Sequence, residues 1–409
     1  MGEVAEWLKA LVLKTNIRFT PYRGFESHPH REQHFLSRDC LSQGDCATER
    51  HRTDNLARGR KNRYTQEDFS YTKNMNLPFE HVEGSPKTAR ELLEEFEERG
   101  HLPMGELLTF EGVGGKDIYN ITAPFTIDGK TYIAGRVESR DTELDSQVRF
   151  FEEGDGVWTP ALDTPTFDLQ DPFVTRIERE LVLGGVEISG IEKYPEKLDY
   201  RMEFFRGEHL RASTKELDYR TEFFRGEHLQ TLVKFAEGPP QMKDIRLIQL
   251  RSGEIAVFTR PQGAIGGRGK IGFIKLPNLE ALATTDLLGA RLIGEQFRDD
   301  EWGGANELHL LEDGRIGVLG HSAYSDAGGK HYYPIAFTFD PETEIASPLV
   351  ILAARKDFPP GPAKRSPELD DIALPGGLIR HQDGTATLYV NLSDASAGRI
   401  TIPDPFLQQ

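Results

Sequence analysis

The sequence predicts an all-β fold, a five-bladed β-propeller with one short N-terminal helix. Three observations favour this fold class. Short β-favouring runs alternate with tight turns, five segments of this kind share one layout, and no long helical pattern separates them. Repeated sheets arranged around a central axis are the plan of a propeller. A β-sandwich is the alternative, but it does not explain why the same polar start returns five times.

The composition of the 409-residue chain is that of a turn-rich globular protein, with 37% hydrophobic residues, 40 Gly and 24 Pro. A formal net charge of −17 argues against a general nucleic-acid surface or an anionic-membrane surface. No run of about 18 apolar residues is present, so we expect no membrane partner. Both cysteines, Cys40 and Cys46, lie near the N-terminus, and we therefore expect a cytoplasmic protein without a disulfide framework.

Residues 1–74 differ from the rest of the chain, because charged and polar clusters follow one another there without a sustained period. The opening MGEVAEWLKALVLKT resembles the peptide that results when a transfer-RNA gene is translated in error, which would make Met75 the genuine start. A helical leader is the alternative, since Val4 to Val12 has amphipathic spacing. We expect a disordered or misannotated leader over 1–74 and the propeller over 75–409.

A short amphipathic helix is predicted between Lys87 and Gly100. Leu92, Leu93 and Phe96 fall on one face of this helix, and Gly100 is a stop signal.

Five hairpin segments follow, and each begins with polar or Gly-rich residues before two apolar strands joined by a turn. The explicit turns, at residues 127–130, 251–254, 312–315 and 382–385, place Asp-Gly or Ser-Gly between apolar runs, which is a strong hairpin signal. The predicted blade segments are residues 117–140, 168–189, 243–262, 303–324 and 371–394.

The interval between the second and third segments is long because it contains a short tandem copy. Leu198–Leu210 returns almost unchanged as Leu217–Leu229, with an offset of 217 − 198 = 19 residues. Removing the copy shortens that interval from 75 to 56 residues, which matches the others. We expect the copy to form an enlarged loop or a duplicated outer strand.

Aligned blades would bring their polar starts to one end of the axis, where several carboxylates and amides would form a deep polar pocket. Sugars are bound by such sets of hydrogen-bonding groups. Asp171 precedes a proline and is therefore held extended at the mouth of a strand, although it would also suit a simple turn cap. The converging residues are Asp117, Asn120, Asp168, Asp171, Lys243, Asp244, Asn306, Glu307, Asp370 and Asp371, with Arg136, Arg140, Arg246, Arg260 and His321 on neighbouring strand ends.

The glycine-rich loop from Arg260 to Lys270 is basic in an acidic protein. Its successive N–H groups, with Arg260, Arg268 and Lys270, would suit a phosphate, and a flexible blade connection is the alternative. We predict no metal, because His321 and His331 are isolated and no Cys/His cluster has zinc spacing. A serine hydrolase is not expected, since no Gly-x-Ser-x-Gly elbow is present.

Several short motifs stand in an order that resembles a known group. They are Asn120-Ile-Thr-Ala-Pro124 with Gly135-Arg136, Gln170-Asp171-Pro172, Lys243-Asp244, Gly320-His321 and Asp371-Ile-Ala-Leu-Pro-Gly376. They resemble motifs of glycoside hydrolase family 130, the β-mannoside phosphorylases. The longer stretches MKDIRL, FTRPQG and LPGGLIRH are similar to the related mannosyltransferase/mannan phosphorylase family, over about residues 103–403.

The resemblance implies a five-bladed propeller that acts on β-1,2-linked mannosides, with Asp171 as the single catalytic acid. It assigns Asn120, Arg136 and Asp371 to the mannose and Lys243, Arg260 and His321 to phosphate. The pattern of polar starts adds Asp117, Asp244 and Asn306 to the substrate-binding set, and the glycine-rich loop adds Arg268 to the phosphate set.

In such enzymes phosphate itself is the nucleophile and inverts the anomeric centre, so no cofactor is expected beyond inorganic phosphate as co-substrate. The expected partners are an oligomannoside or mannose 1-phosphate, and a homo-oligomer is left open. The reverse reaction would lengthen an oligomannoside, and a nucleotide-sugar-linked mannosyltransferase is left open beside the phosphorylase. The further alternatives are a hydrolase that uses two of the clustered carboxylates and a non-catalytic sugar-binding propeller. Asp171 would have to stay protonated, and we expect Asp168 to raise the pKa of its carboxyl.

The chain departs from the phosphorylase pattern in the second segment. Gln170 stands where an acidic residue is usual and Phe173 where an arginine is usual. We expect Arg176 or the glycine-rich loop to compensate in the phosphate subsite.

Overall fold

The computed structural model describes residues 86–189, 218–294 and 296–407. It is mostly β, with 49% strand and 9% helix, which confirms the predicted all-β class. The predicted leader and the first tandem copy lie outside the described residues. None of the described helices is long and apolar enough to cross a membrane.

The predicted N-terminal helix is confirmed as α1, Ala89–Glu98. The hydroxyl of Thr88 caps its first turn, and Gly100 follows its end with φ 114°. Leu92 and Phe96 are buried, so the predicted apolar face packs against the β-structure. The helix therefore belongs to the core of the β-rich part of the chain.

Two of the sheets come from the first half of the β-region. The first has the order β2-β7-β6-β5-β3, with β4 also paired to β5, and the second has the order β11-β10-β9-β8. Their strands are β2 (Thr109–Phe110), β3 (Asp117–Tyr119), β4 (Phe125–Ile127), β5 (Lys130–Glu138), β6 (Gln147–Gly154), β7 (Val157–Pro160), β8 (Gln170–Ile177), β9 (Glu180–Ser189), β10 (Asp218–Gly226) and β11 (Val233–Glu237).

The other two sheets follow in the chain. The third is β12-β13-β14-β15, and the fourth is β1-β23-β22-β21-β18-β17-β16, with β19 and β20 paired to β18. Their strands are β1 (Glu106–Leu107), β12 (Arg246–Gln249), β13 (Ile255–Thr259), β14 (Gly272–Leu276), β15 (Arg291–Leu292), β16 (Trp302–Leu310), β17 (Ile316–Asp326), β18 (Gly329–Asp340), β19 (Ile345–Ala346), β20 (Val350–Ile351), β21 (Asp371–Arg380), β22 (Thr385–Leu392) and β23 (Ser396–Pro403).

Short helical turns complete the secondary structure of the described residues. They are α2 (Gly263–Gly266) and the 3-10 turns Leu229–Thr231, Glu280–Ala283, Leu287–Gly289 and Arg355–Asp357.

All five predicted segments contain antiparallel strand pairs, but the described strands form four hydrogen-bonded sheets rather than five. The fourth sheet consists of two antiparallel groups joined by a short parallel pairing of β18 with β21. His331 lies opposite Asp371 and Tyr332 opposite Ile372 in this pairing. The number of blades and the closure of a propeller therefore stay predictions.

The four predicted turns are confirmed, since each joins two antiparallel strands. Asp128 and Gly129, between β4 and β5, have φ values of 53° and 76°. This left-handed geometry is what the tightest hairpins require, and it is why Asp-Gly was informative.

The second tandem copy forms an inner strand. It supplies β10, which lies between β9 and β11. The prediction of an enlarged loop or an outer strand is therefore wrong for this copy, because apolar residues such as Phe223 are fully buried on one face of β10.

The largest apolar cluster lies between the third and fourth sheets. Phe258, Phe273 and Phe339 contact one another there, with ring centroids 4.6–5.5 Å apart. Burying each ring contributes roughly 1.5–3 kcal/mol. Leu92 and Phe96 of α1 join the same cluster, so the helix is held by this core.

Candidate active site

The described residues enclose a cavity of about 1050 Å³ to which all four sheets contribute. Polar and charged side chains line it together with aliphatic, aromatic and proline side chains. Nine of the eleven predicted site residues line it: Asn120, Arg136, Asp171, Lys243, Asp244, Arg260, Arg268, Asn306 and His321.

Five polar residues of the lining share an unusual backbone conformation. The φ angles of Asn120, Asp171, Gln241, Asp244 and Asp394 lie between 46° and 61°. Asn and Asp tolerate this left-handed region better than other non-glycine residues. Strained positions of this kind concentrate at functional sites. The recurrence in separate segments therefore supports one common site.

β-Bulges expose further lining residues. The register of β8 shifts between Gln170 and Phe173, so Asp171 has no partner across from it in β9. A similar shift in β16 leaves Asn306 without an opposite residue, and a third in β21 falls at Gly376. A bulge turns one residue away from the ladder, and here it turns Asp171 and Asn306 to the cavity.

Asp171 is held by three side chains. Its Oδ1 accepts hydrogen bonds from Asn120 Nδ2 at 2.5 Å and from Arg136 NH1 at 3.0 Å. Its Oδ2 lies 3.7 Å from Lys243 Nζ. The carboxylate therefore connects residues of three sheet-forming segments.

Arg136 is fixed from behind by buried acids. Its Nε and NH2 lie 2.9 Å and 2.8 Å from Glu138 Oε2, and NH2 lies 3.6 Å from Glu143 Oε2. Glu138 is fully buried and also accepts hydrogen bonds from Tyr119 and Lys364. This network holds the guanidinium of Arg136 against Asp171.

The expectation that Asp168 raises the pKa of Asp171 is wrong for the ligand-free site. Burial by itself raises the pKa of Asp171, but Arg136 and Lys243 outweigh it and leave the pKa below its usual value. Asp168 instead accepts a hydrogen bond from Gln147 at 3.2 Å. Asp171 is therefore a carboxylate near neutral pH when the cavity is empty.

Basic side chains gather around Asp244. Arg260 NH1 lies 3.2 Å from Asp244 Oδ2, and Arg246 NH2 lies 3.8 Å from Oδ1. Burial raises the pKa of Asp244, but Lys243, Arg260 and Arg246 bring it well below its usual value. Arg260 Nε also donates to Gly303 O at 2.7 Å, which fixes that guanidinium in place.

His321 is buried and uncharged. Burial and the neighbouring Arg260 lower its pKa to about 3. Its Nδ1 lies 2.8 Å from Asn306 Oδ1. The amide oxygen can only accept, so the single N–H of the neutral imidazole is on Nδ1 and Nε2 is left as an acceptor.

The glycine-rich loop contributes to the cavity through α2 and Arg268. The guanidinium carbon of Arg268 lies 3.7 Å from the ring centroid of Trp302, and Trp302 Nε1 donates to Tyr332 OH at 3.0 Å. The segment after the loop is strand β14.

Two predicted substrate-binding residues lie outside the cavity lining. Asp117 pairs with Arg140, which occupies its carboxylate. Asp371 accepts hydrogen bonds from His331 Nδ1 at 2.7 Å and Tyr333 OH at 2.8 Å. The sequence pattern identified both strands but not the direction of these two side chains.

The departures at positions 170 and 173 have structural counterparts. Gln170 lines the cavity and donates to Glu143 O at 3.3 Å. The ring of Phe173 stacks against the guanidinium group of Arg246, whose central carbon is 4.6 Å from the ring centroid. Arg176 does not compensate, because it is exposed and donates to Thr126 O at 2.7 Å. The glycine-rich loop does reach the cavity.

Asp394 is a lining residue that the sequence reasoning missed. Its Oδ1 accepts a hydrogen bond from Asn391 Nδ2 at 2.7 Å. Burial raises its pKa, and the negative charges of Asp171 and Glu143 act in the same direction. Its position at the end of the fifth predicted segment was the signal that could have identified it. Glu143 and Arg365 also line the cavity and lie in connections that carry no hairpin signal.

Within residues 86–189, 218–294 and 296–407, no group of three or more His, Cys, Asp or Glu side chains is arranged to hold a metal ion.

A sequence model of the family described as "Protein of unknown function (DUF1861)" matches residues 94–215 and 209–408. The two matched ranges overlap within the region of the tandem copy. A comparison with curated protein sequences found no match.

Three solved structures cover most of this chain. MPT-4, a mannose phosphorylase from Leishmania mexicana in complex with phosphate ion, is 33% identical over 78% of this chain and 93% of its own, with a TM-score of 0.67. MPT-1, a GDP-Man-dependent mannosyltransferase from the same organism, is 32% identical over 78% and 95%, with a TM-score of 0.66. A hypothetical protein from Leishmania major is 32% identical over 77% and 95%, with a TM-score of 0.64.

Proposed function

Because the chain belongs to the mannosyltransferase/mannan phosphorylase family related to glycoside hydrolase family 130, we propose that it is an enzyme that transfers mannosyl groups between a mannoside and phosphate. In the direction of degradation it releases mannose 1-phosphate from a β-1,2-linked oligomannoside with inversion. In the reverse direction it lengthens the oligomannoside.

The observation that carries this proposal is the division of the cavity around Asp171. One group of lining residues consists of Asn120, Glu143, Gln170 and Asp394 and is crossed by the cations Arg136 and Arg365; it is here called the amide–carboxylate side. A second group has Lys243, Arg246 and Arg260 around Asp244, with Arg268 from the glycine-rich loop also in the lining; it is here called the cationic side. A sugar suits the first set and an anion the second.

Asp171 lies where the two ligands would meet. An oxygen of phosphate forms a bond to the anomeric carbon while the bond from that carbon to the bridging oxygen breaks. Asp171 gives its proton to the bridging oxygen, so the shortened mannoside leaves as an alcohol. A proton from the hydrogen phosphate or from solvent restores Asp171. Phosphate replaces activated water in this reaction, so a second catalytic carboxylate is not needed.

The ligand-free carboxylate must gain a proton before it can act as the acid. Lys243 is shared between Asp171 and the cationic side, at 3.7 Å from Asp171 Oδ2. A phosphate dianion beside Lys243 weakens the support that this cation gives to the Asp171 charge. It also adds a like charge nearby, and both effects raise the pKa of Asp171. Binding of the nucleophile thus prepares the acid.

A hydrolase is a second candidate, and Asp394 is the specific observation in its favour. The pKa of Asp394 is raised by burial while that of Asp171 is lowered by Arg136 and Lys243. Active sites with two carboxyls commonly keep one protonated, as the general acid, and the other ionised, because their pKa values are shifted in opposite directions.

The deciding experiment measures mannose 1-phosphate and free mannose formed from β-1,2-mannobiose, with and without phosphate. We expect mannose 1-phosphate only when phosphate is present, and a loss of roughly 10²–10⁴-fold in Asp171→Asn. Asp168→Asn is the matched control, since Asp168 bonds to Gln147 and does not line the cavity.

The other outcomes identify the alternatives. Free mannose without phosphate would support the hydrolase, and Asp394→Asn should then abolish it. Turnover only with GDP-mannose as donor would indicate a nucleotide-sugar transferase. No turnover, together with mannoside binding that survives Asp171→Asn, would indicate a sugar-binding protein.

A further inference from the structure

The cationic side contains a guanidinium, that of Arg246, to which the family resemblance gives no role. Arg246 begins strand β12, lines the cavity and is 5% exposed. Its Nε donates to Asn306 O at 2.7 Å and its NH1 to Ile245 O at 3.2 Å. The main chain therefore fixes two of its three nitrogens. The third, NH2, lies 3.8 Å from Asp244 Oδ1, beyond hydrogen-bond distance.

Phe173 supports this guanidinium from below. The guanidinium carbon of Arg246 lies 4.6 Å from the centroid of the Phe173 ring, which is a cation–π contact. Phe173 is 5% exposed, and its ring covers Gly184 so closely that a Cβ there would come within 1.9 Å of it. The ring is therefore confined, and it holds Arg246 in one orientation.

The charges around Asp244 leave a positive excess. Three cations, Lys243, Arg260 and Arg246, lower the pKa of this carboxyl, and Lys243 also lies 3.7 Å from Asp171 Oδ2. Asp171 and Glu307 act on Arg246 as well, but Glu307 is paired with His309. Burial lowers the pKa of Arg246, but a guanidinium starts so high that it remains charged at neutral pH. A buried charge without a full partner is costly, and a bound anion removes that cost. Arg260 NH1 forms an ion pair with Asp244 Oδ2 at 3.2 Å but no well-aligned hydrogen bond within the described residues.

We propose that Arg246 is a further anion-binding residue of this cavity, whose NH2 contacts the phosphate group that attacks or leaves the mannosyl carbon. Phe173 is its positioning residue. The inference rests on the proposed function for the identity of the anion, but the contact itself requires only a tetrahedral oxyanion. While the cavity is empty, the negative charge of Asp244 offsets the repulsion between the two flanking guanidinium groups.

The test measures the Kd of inorganic phosphate and of sulfate by calorimetry for the full chain and four variants. In Arg246→Gln we expect both Kd values to rise about tenfold or more, because one charge-assisted contact is lost. Arg246→Lys keeps the charge without the planar group, and we expect a smaller rise. Phe173→Leu leaves the arginine in place without its aromatic support, and we expect a rise of a few-fold. Arg176→Gln is the matched control, because that arginine is exposed outside the cavity, and its Kd should equal the wild-type value.

A structural role alone would give a different result. Unchanged anion Kd values in Arg246→Gln, with a lowered midpoint of unfolding, would overturn the proposal. If Arg246→Gln does not fold, the Arg246→Lys and Phe173→Leu Kd values decide, and no change in both would also overturn it. Where mannoside turnover is measurable, KM for phosphate should rise while KM for the mannoside stays the same.

Failure of the proposed function would be distinguishable from failure of this inference. Wild-type protein that binds phosphate through Arg246 but forms no mannose 1-phosphate would contradict the enzyme assignment and leave the anion contact standing. Equal phosphate Kd values for wild type and Arg246→Gln, together with active phosphorolysis, would support the enzyme assignment and contradict the anion contact of Arg246.

Discussion

Cations favour the charged form of Asp171, whereas burial and a neighbouring carboxylate oppose it, and this balance sets whether the carboxyl is protonated. Arg136 and Lys243 favour the carboxylate, Asn120 hydrogen-bonds to it, and burial and Asp244 oppose ionisation. Asp394 adds a further carboxyl close by, and its own pKa is raised. An anion bound beside Lys243 shifts this balance towards the protonated form.

This balance predicts that anion binding takes up a proton. Because the pKa of Asp171 is lowered in the free site and raised by the anion, the affinity is highest at low pH and falls as pH rises through the bound-state pKa. Because at most one proton is taken up by Asp171, the affinity for the anion falls by no more than about tenfold per pH unit. Sulfate is the suitable probe, since it keeps its charge between about pH 4 and pH 8, and its Kd can be measured by calorimetry across that range.

Asp171→Asn has no carboxyl at position 171, so its sulfate Kd should vary less with pH than that of the wild type. His321 does not confuse the comparison, because burial and Arg260 lower its pKa to about 3. An infrared band of a protonated carboxyl that grows with sulfate in wild type, and not in Asp171→Asn, would identify the residue. Identical profiles in both proteins would contradict the prediction.

At this scale the sequence predicted which residues meet better than it predicted their chemical state. Asp-Pro and the recurring polar starts were enough to identify Asp171, Asp244 and Asn306. The protonation of Asp171 depends on Arg136 and Lys243, which lie far from it in the chain. Asp371 does not line the cavity, since its carboxylate accepts hydrogen bonds from His331 and Tyr333 that the sequence pattern could not reveal, and its role in substrate binding stays a prediction.

Among the elements, the hairpins were predictable because their turns demand particular residues. Asp-Gly at 128–129 satisfies a left-handed backbone that few other pairs accept. The bulges at Asp171 and Asn306 had no such signal, since they arise from the register that two strands adopt in the folded sheet. The same limit explains why β10 was not recognised as an inner strand.

Strand β10 yields a prediction about the tandem copy. The second copy alone supplies β10 and its pairing with both neighbours. We therefore expect a chain that lacks residues 198–216 to fold with an unchanged midpoint of thermal unfolding and to bind sulfate with the wild-type Kd. A comparison chain that lacks residues 217–235 keeps the nearly identical first copy but loses Val233–Phe235 of β11, so we expect it to unfold at a lower temperature.

A loss of stability of more than about 1 kcal/mol in the shorter chain, the size of an ordinary harmful substitution, would contradict this prediction. It would mean that the first copy also contributes to the fold. Equal stability would agree with a recent local duplication that the sheet tolerates.

For the whole molecule, the all-β class followed from the turns and the absence of long helical patterns. The division into sheets did not, because the parallel pairing of β18 with β21 involves only two residue pairs and joins two predicted segments into one sheet. The net charge of −17 likewise did not reveal that one side of the cavity is cationic. A local field depends on which few side chains are buried together.

The predicted leader can be tested on the whole chain. A protein that starts at Met75 should show the same unfolding midpoint and the same sulfate Kd as the 409-residue chain, because the sequence before Met75 lacks the pattern of a packed domain. A shift of the midpoint by several degrees, or an altered Kd, would show that residues 1–74 stabilise or complete the site.

Strand β1 pairs with β23, although 293 residues separate Glu106 from its ion-pair partner Arg399. Gly376 of β21 also lies close to Ile121, so close that a Cβ on the glycine would come within 1.8 Å of the Ile121 carbonyl oxygen. Asn120 directly precedes Ile121, so this part of the cavity wall forms only when the last part of the chain packs against it. A ribosome must therefore release nearly the whole polypeptide before the pocket exists. Such distant pairing also slows folding, so apolar strands of the nascent chain stay exposed for longer than in a chain of local contacts.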